Sequence, residues 1–556
     1  MTVGIDLGTT NALVAVVDGG TVRLIPNSRG RLVTPSVVGV DAHGELLVGE
    51  AAANQAVHRP GHTVRQAKRL MGRRTTVPLG RLYPSPEEVS ATILRSLRTQ
   101  AAAFLGDDVR SAVITVPAHF DDHQRYATYE AALLAGFATV LLLNEPTAAA
   151  LPYATRDTRR ERMVVFDFGG GTLDVTCLER DGHDFAVRAT VGDGQLGGAD
   201  IDEVLATEIR TAMRDQTGAD TGDPRLQQVA LDLAERAKID LSEVEHTEVS
   251  VPFLAGGPDG AGHVRYRLDR TTFDRLVAPF VARARTVAQR AVAEAGFDRE
   301  GFDRLILAGG SSRVPAIRSM LEETFHVPVA NRINPEEVIG TGAALYAANR
   351  DAPSDGFRLR DVLSGTLAIE LADGGCVPLV RKNQTVPTRQ SRVFTTVSDG
   401  QQEAEIHLVQ GNHSQAWRNR SLGRFVLRDI RRAPQGAARI AVTVEVSSDG
   451  IVTVRAGDRD TGASGEMVAR ARPEPVRHPI QGGRDRYAAS LRRRARALRL
   501  YAVDGLREEI DEVVSIMEEG DPKTGEDTMT VLETLLRETV IAASSAQQRE
   551  HRHASR

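Results

Sequence analysis

Cysteine is almost missing. Cys177 and Cys376 are the only two in 556 residues. That excludes a disulfide framework and a four-cysteine metal site, and both thiols read as small buried hydrophobes. No apolar run approaches the roughly 18 residues a membrane-spanning helix needs. There is no surplus of charge either: 69 Lys and Arg stand against 74 Asp and Glu, a net charge of −5. This gives no electrostatic case for nucleic acid as a main partner. The first strand signal begins at Val3. It leaves no room for a signal peptide, so a cytoplasmic location is the expectation, with no membrane partner. What is present is ordinary for a soluble protein of several domains: 41% hydrophobic and 26% charged residues.

The chain is organised around its opening, MTVGIDLGTTN. Val3, Ile5 and Leu7 alternate with small or polar residues, as in a strand. Asp6 lies inside that strand, Gly8-Thr9-Thr10 turn the chain, and a second strand runs from Ala12 to Val17. A Gly/Thr turn lets backbone N–H groups converge on a phosphate, and a carboxylate beside it can hold a hydrated divalent ion. The pattern recurs from Met163 to Glu179, with Asp167 before the turn Gly169-Gly170-Gly171-Thr172. Two copies suggest two related halves closing on one nucleotide.

Strands and helices alternate up to about residue 350. Pro86 opens a helix through Phe104 with Ser85 as N-cap, and Asp121 or Asp122 caps another that ends at Gly136. Residues 351–361 read as a linker. From 362 to 470 the alternation of Ile440, Val442, Val444 and Val446, turned at Asp449-Gly450, marks an antiparallel β domain. A Pro/Gly-rich break precedes helical periodicity over 484–545. There Leu498, Tyr501, Leu506, Ile510, Val513 and Met517 lie on or near one face, and Gly520-Asp521-Pro522 turns into a further helix. Residues 546–556 carry no apolar pattern and read as a disordered tail.

These stretches resemble the 70-kDa heat-shock chaperone family. GIDLGTTN, AVITVPAHFDD, LNEPTAAA, FDFGGGTLDV, LGGADID, ERAKIDLS, ILAGGSSRVPAI and NPEEVIGTGAA occur in the family's order, and RKNQTVPT, VFTTVSDGQ, LVQG, SLGRF and SDGIVTV extend the match into the β domain. The resemblance implies a multidomain fold: an actin-like two-lobed α/β ATPase domain, an antiparallel β-sandwich that binds peptide, and a short helical lid. It implies an ATP-dependent chaperone that hydrolyses ATP to ADP with Mg²⁺, and possible use of K⁺. Expected partners are unfolded polypeptide, a J-domain co-chaperone and a nucleotide-exchange factor. An ATP-binding scaffold with one partner and weak interdomain coupling is an alternative. An actin-like small-molecule kinase is another, against which the β domain argues.

The resemblance also assigns residues. Asp6 and Asp167 would face Mg²⁺ through water, while Gly8, Thr9, Thr10, Gly169, Gly170, Gly171 and Thr172 hold phosphate. Lys68 would contact the transferring phosphoryl and Glu145 would position the attacking water; Asp174 would order water or a monovalent cation. Glu235, Lys238 and Ser242 would bind ribose and adenine, with Gly309, Gly310, Arg313 and Glu336 closing the other side. Pro117, Arg125 and Asp361 would relay nucleotide state, and Phe394, Val397, Ala404 and Ile406 would line the peptide site.

Departures from the family pattern set further expectations. The linker reads Phe357-Arg358-Leu359-Arg360-Asp361, with arginines in place of apolar docking residues. Buried unpaired arginines are costly, so a docked linker should pair them or be weakened. Val397, Ala404 and Glu405 alter the peptide pocket, and arginines crowd the lid from Arg492 to Arg499.

Overall fold

The strand Thr2–Leu7 pairs antiparallel with Asn11–Asp18 and parallel with Ser111–Val116, which pairs parallel with Thr139–Asn144. The computed structural model repeats this plan in a second sheet, where Glu161–Phe168 pairs antiparallel with Leu173–Asp181 and parallel with Arg304–Ala308. It describes residues 1–153, 159–254, 262–330, 333–351, 356–448, 450–468, 483–519 and 525–554. In both sheets an aspartate sits near the end of the strand that leads into the glycine turn. The two halves inferred from the sequence are therefore two lobes of like topology. Val113 and Leu143 of the first sheet share one apolar core with Met163, Val165 and Ile306 of the second. Ala343 and Ala347, on the helix Val338–Asp351, lie in that same core.

The helix Pro86–Leu105 starts at the expected cap: Ser85 accepts from Glu88 N–H, and the Glu88 carboxylate accepts from Ser85 N–H. Asp121, rather than Asp122, caps Asp122–Leu134 in the same reciprocal way with Gln124. This leaves the Asp122 carboxylate free for other partners.

The end of the linker is a strand, Arg358–Val362, laid parallel to Asp184–Asp193 with Leu359 opposite Phe185. Here the structure corrects the expectation about the arginines. Strand residues alternate faces, so Leu359 packs inward beside Phe357 while Arg358 and Arg360 point to solvent. The linker docks without burying either guanidinium.

Two four-stranded sheets form the β domain. In Ile440–Val446 every second residue is buried, as the alternation requires. The loop between Ala404–Gln410 and Arg420–Leu427 carries the chain's one tryptophan, Trp417, which is 78% exposed beneath the Arg418 guanidinium.

Three helices close the chain: Gly483–Leu498, Asp504–Glu519 and Gly525–Ala554. The face read from Leu498 to Met517 is divided by a turn at Arg499–Tyr501, and Gly505 falls in the first turn of the new helix. The last helix continues through Ala554, over residues that sequence assigns to a patternless tail. The turn at 520–522 and the break over 472–482 lie outside the described residues. The helices pack on the first lobe rather than on the β-sandwich. Leu491, Leu498, Leu532, Leu536 and Val540 share one core with Leu94, Leu97 and Tyr129. Among the described residues, no helix is long and apolar enough to cross a membrane.

Candidate functional site

The two glycine turns face each other across the interlobe cleft. A Cβ at Gly170 would fall 1.9 Å from Thr10 Oγ1, so only glycine permits that approach. Between the turns opens a cavity of about 830 Å³. Asp6, Gly8, Thr9, Thr10, Lys68, Glu145, Asp167, Gly169, Gly170 and Thr172 line one part of it. Glu235, Lys238, Ser242, Gly309, Gly310, Arg313 and Glu336 line the remainder. The structure thus brings together residues more than 300 positions apart. Gly171 and Asp174 stand behind the wall.

Lys68 Nζ donates to Glu145 Oε1 at 2.5 Å, and both side chains are 7% exposed. Lys68 sits on a short 3-10 turn, Ala67–Leu70, and Glu145 opens the helix Glu145–Ala150. Asp6 accepts from Thr115 Oγ1 at 2.9 Å. Burial raises the Asp6 carboxyl, with Lys68 opposing. Burial likewise pushes Glu145 up to about 7 against the pull of Lys68, and the charge of Asp6 adds to the rise. Asp167 is held well above the usual carboxylate range by burial and by Glu145, Asp174 and Asp6. The cleft therefore gathers more negative charge than Lys68 can balance, a setting that favours a bound cation.

Asp174 pairs directly across the second hairpin from Asp167. Water or a monovalent cation is expected there. Both its oxygens lie against the His119 ring, with Nδ1 at 2.9 and 3.0 Å. His119 lies inside the quoted stretch VPAHFDD, where the reading of the sequence gave it no role.

In the remainder of the cavity wall, Lys238 Nζ lies 2.8 Å from Asp202 Oδ2, and Arg313 donates to Asn334 Oδ1 at 2.7 Å. Ile239, Leu307, Ile333 and Ile339 add an apolar wall that motif reading missed. Arg69 was missed as well. Its guanidinium crosses from the first lobe to donate to Gly171 C=O at 2.7 Å and to Asp200 Oδ2 at 2.6 Å. Its signal was adjacency to Lys68 within AKRLMG.

Two of the residues expected to relay nucleotide state, Arg125 and Asp361, are joined through Asn144. Arg125 donates to Asn144 Oδ1 at 2.5 Å, and Asn144 Nδ2 donates to Asp361 Oδ2 at 2.7 Å. Thr147 Oγ1 reaches the same oxygen at 3.1 Å. Pro117 is buried at the end of its strand, and its carbonyl accepts from Phe120 N–H. At the N-terminus of Asp122–Leu134 three parts of the chain converge. Asp122 accepts from Val452 N–H of the β domain at 3.0 Å and pairs with Arg537 of the last helix. His123 Nε2 lies 3.3 Å from Ser421 C=O.

In the β domain Phe394 and Ala404 are half-buried and Val397 is 57% exposed. Ile406 is only 4% exposed within the sandwich core, so it supports the exposed surface rather than lining it.

A family model described as Hsp70 protein matches residues 2–81 and 77–482. The match spans both lobes, the linker and the β-sandwich just described, and on it the chain belongs to the Hsp70 family of ATP-dependent chaperones.

Proposed function

We propose that this chaperone hydrolyses Mg·ATP in the interlobe cavity and uses the docked linker to convert nucleotide state into release of extended, apolar peptide. The observation that carries this reading is a continuous chain of contacts. Asp361 of the linker is hydrogen-bonded to Asn144, and the next residue, Glu145, pairs with Lys68 at the phosphate end of the cavity. A shift at Glu145 on hydrolysis would move Asn144 and so loosen the linker.

The residues present suit a divalent ion. The cavity offers hard carboxylate oxygens in surplus, and among the described residues no cluster of three or more Asp, Glu, His or Cys side chains converges to ligate an ion directly. That combination fits Mg²⁺ retaining its waters, with Asp6 and Asp167 as the outer partners. When bound, the ion neutralises phosphate charge and orients the terminal phosphoryl group. Gly8–Thr10 and Gly169–Thr172 supply N–H and hydroxyl donors to the phosphates. Lys68 stabilises charge on the phosphoryl oxygens, and Glu145 holds the attacking water in line. Arg69, bridged to Asp200, keeps the lobes together around the nucleotide.

In the arrangement described, the C-terminal helices rest on the first lobe, and among the described residues Val397 of the expected peptide site is exposed. This suits fast entry and exit of peptide. A J-domain protein that stimulates hydrolysis, a nucleotide-exchange factor and a cytoplasmic location complete the proposal. Release kinetics of a labelled leucine-rich peptide test it. ATP should speed release by at least about tenfold. Release at one rate with ATP, ADP or no nucleotide would overturn the coupling.

A further inference from the structure

His119 stands on the segment joining the strand Ser111–Val116 to the helix Asp122–Leu134. Besides the two contacts of its ring, its backbone N–H donates to Asp174 Oδ1 at 3.2 Å. Asp174 is only 1% exposed, so these contacts define its surroundings. The seat for the imidazole is built into the sheet. The register partner of Asp174 on the neighbouring strand is Gly192. A Cβ there would fall 2.5 Å from Asp174 Oδ1 and 2.6 Å from His119 Cβ. A Cβ at Gly194 would fall 3.0 Å from His119 Nε2. Neither glycine has a positive φ, so what both provide is room. The Phe120 ring meets the imidazole edge to face, the centroids 5.8 Å apart.

A buried carboxylate has a limited set of lone-pair directions, and a donor that occupies one excludes a cation from it. The positive end of an N–H dipole also repels an ion approaching the same oxygen. We propose that His119 takes the place of a monovalent cation at Asp174, so that ATP hydrolysis by this chain proceeds without potassium. The imidazole is a positioning group: it fixes Asp174, which stands beside Asp167, and has no place on the substrate itself. The proposal rests on the ATPase reading above.

The test compares single-turnover ATP hydrolysis by the full chain in potassium chloride and in Tris chloride of equal ionic strength, with Mg²⁺ throughout. Calorimetric nucleotide binding is measured in the same salts. The wild-type chain should change by less than about twofold in either readout, whereas His119→Ala should gain about tenfold potassium activation, the size of one lost charged hydrogen bond. His119→Asn keeps an N–H donor and should restore indifference to potassium. Gly194→Ala crowds the ring at Nε2, on the side away from the Asp174 contact, and should move towards the behaviour of His119→Ala. The idea fails if the wild-type chain is activated as strongly as the alanine variant, or if neither responds. In a chain that hydrolysed nothing in either salt, the ATPase reading would fall, and calorimetry alone would decide the potassium question.

Discussion

Arg494 and Glu130 meet through two hydrogen bonds of 2.6 Å each, with the guanidinium 7% and the carboxylate 0% exposed. One partner belongs to the first C-terminal helix and the other to the first ATPase lobe. Glu87 adds a second carboxylate at 3.7 Å from Arg494. An ion pair this deep is stable only while both charges are present. Arg494→Ala should therefore cost about 3 kcal/mol or more of stability, because Glu130 is left buried and uncompensated. Urea unfolding measures this, and Arg494→Leu combined with Glu130→Leu should recover most of the loss. An alanine variant as stable as the wild type would mean that the helix is not held there.

Lys68→Ala and Glu145→Ala should each bind ATP yet hydrolyse it about a hundredfold more slowly, the usual effect of losing one charged contact in a transition state. Without Lys68, Glu145 faces Asp6 and Asp167 with no cation between them, so this variant should also bind Mg²⁺ more tightly. Single-turnover assays across a Mg²⁺ titration separate the two effects. Unchanged rates would remove both residues from the reaction.

Linker docking should depend on Leu359 and hardly at all on its neighbours. Leu359→Asp places a charge against Phe185 and should expose the segment to limited proteolysis. Arg360→Ala changes a solvent-facing side chain and should alter stability by no more than about 0.5 kcal/mol. Equal protease sensitivity in the two variants would contradict the strand register.

Asp361 gives the docked linker a pH dependence. Burial raises its carboxyl above the usual range, against the hydrogen bonds of Val362 N–H, Asn144 and Thr147 and the charge of Arg125. A group with a raised pKa in the docked state binds its proton more tightly there, so protonation favours docking. Docking should thus strengthen as pH falls through that raised value and weaken as pH climbs above it. Asp361→Asn should abolish the trend. Protease protection of the linker across the acidic range provides the measurement, and an identical trend in Asp361→Asn would assign the effect to another group.

Much of this was legible in the sequence where a local pattern carries the physics. The hairpins bearing Asp6 and Asp167 announce themselves by alternation and a glycine turn, and the cap at Ser85 by the Pro86 that follows it. What the sequence did not disclose depends on partners distant in the chain. The Arg69–Asp200 bridge joins residues 131 positions apart, and no periodicity marks it. The outward turn of Arg358 and Arg360 follows from strand pairing, which becomes visible only once the neighbour Asp184–Asp193 is known. The seat of His119 needs the glycine at 192, and the packing of the C-terminal helices on the first lobe needs Tyr129 and Glu130. Composition reports that these residues exist, but not which surfaces they cover.

Trp417 is the only tryptophan of the chain, placed on an exposed loop of the β-sandwich away from the nucleotide cavity. Tryptophan emission, excited at the red edge where the eight tyrosines do not absorb, therefore comes from a single address. Whatever settles on that loop will shift the emission of an unlabelled protein, and whatever leaves it alone will stay dark to the spectrometer.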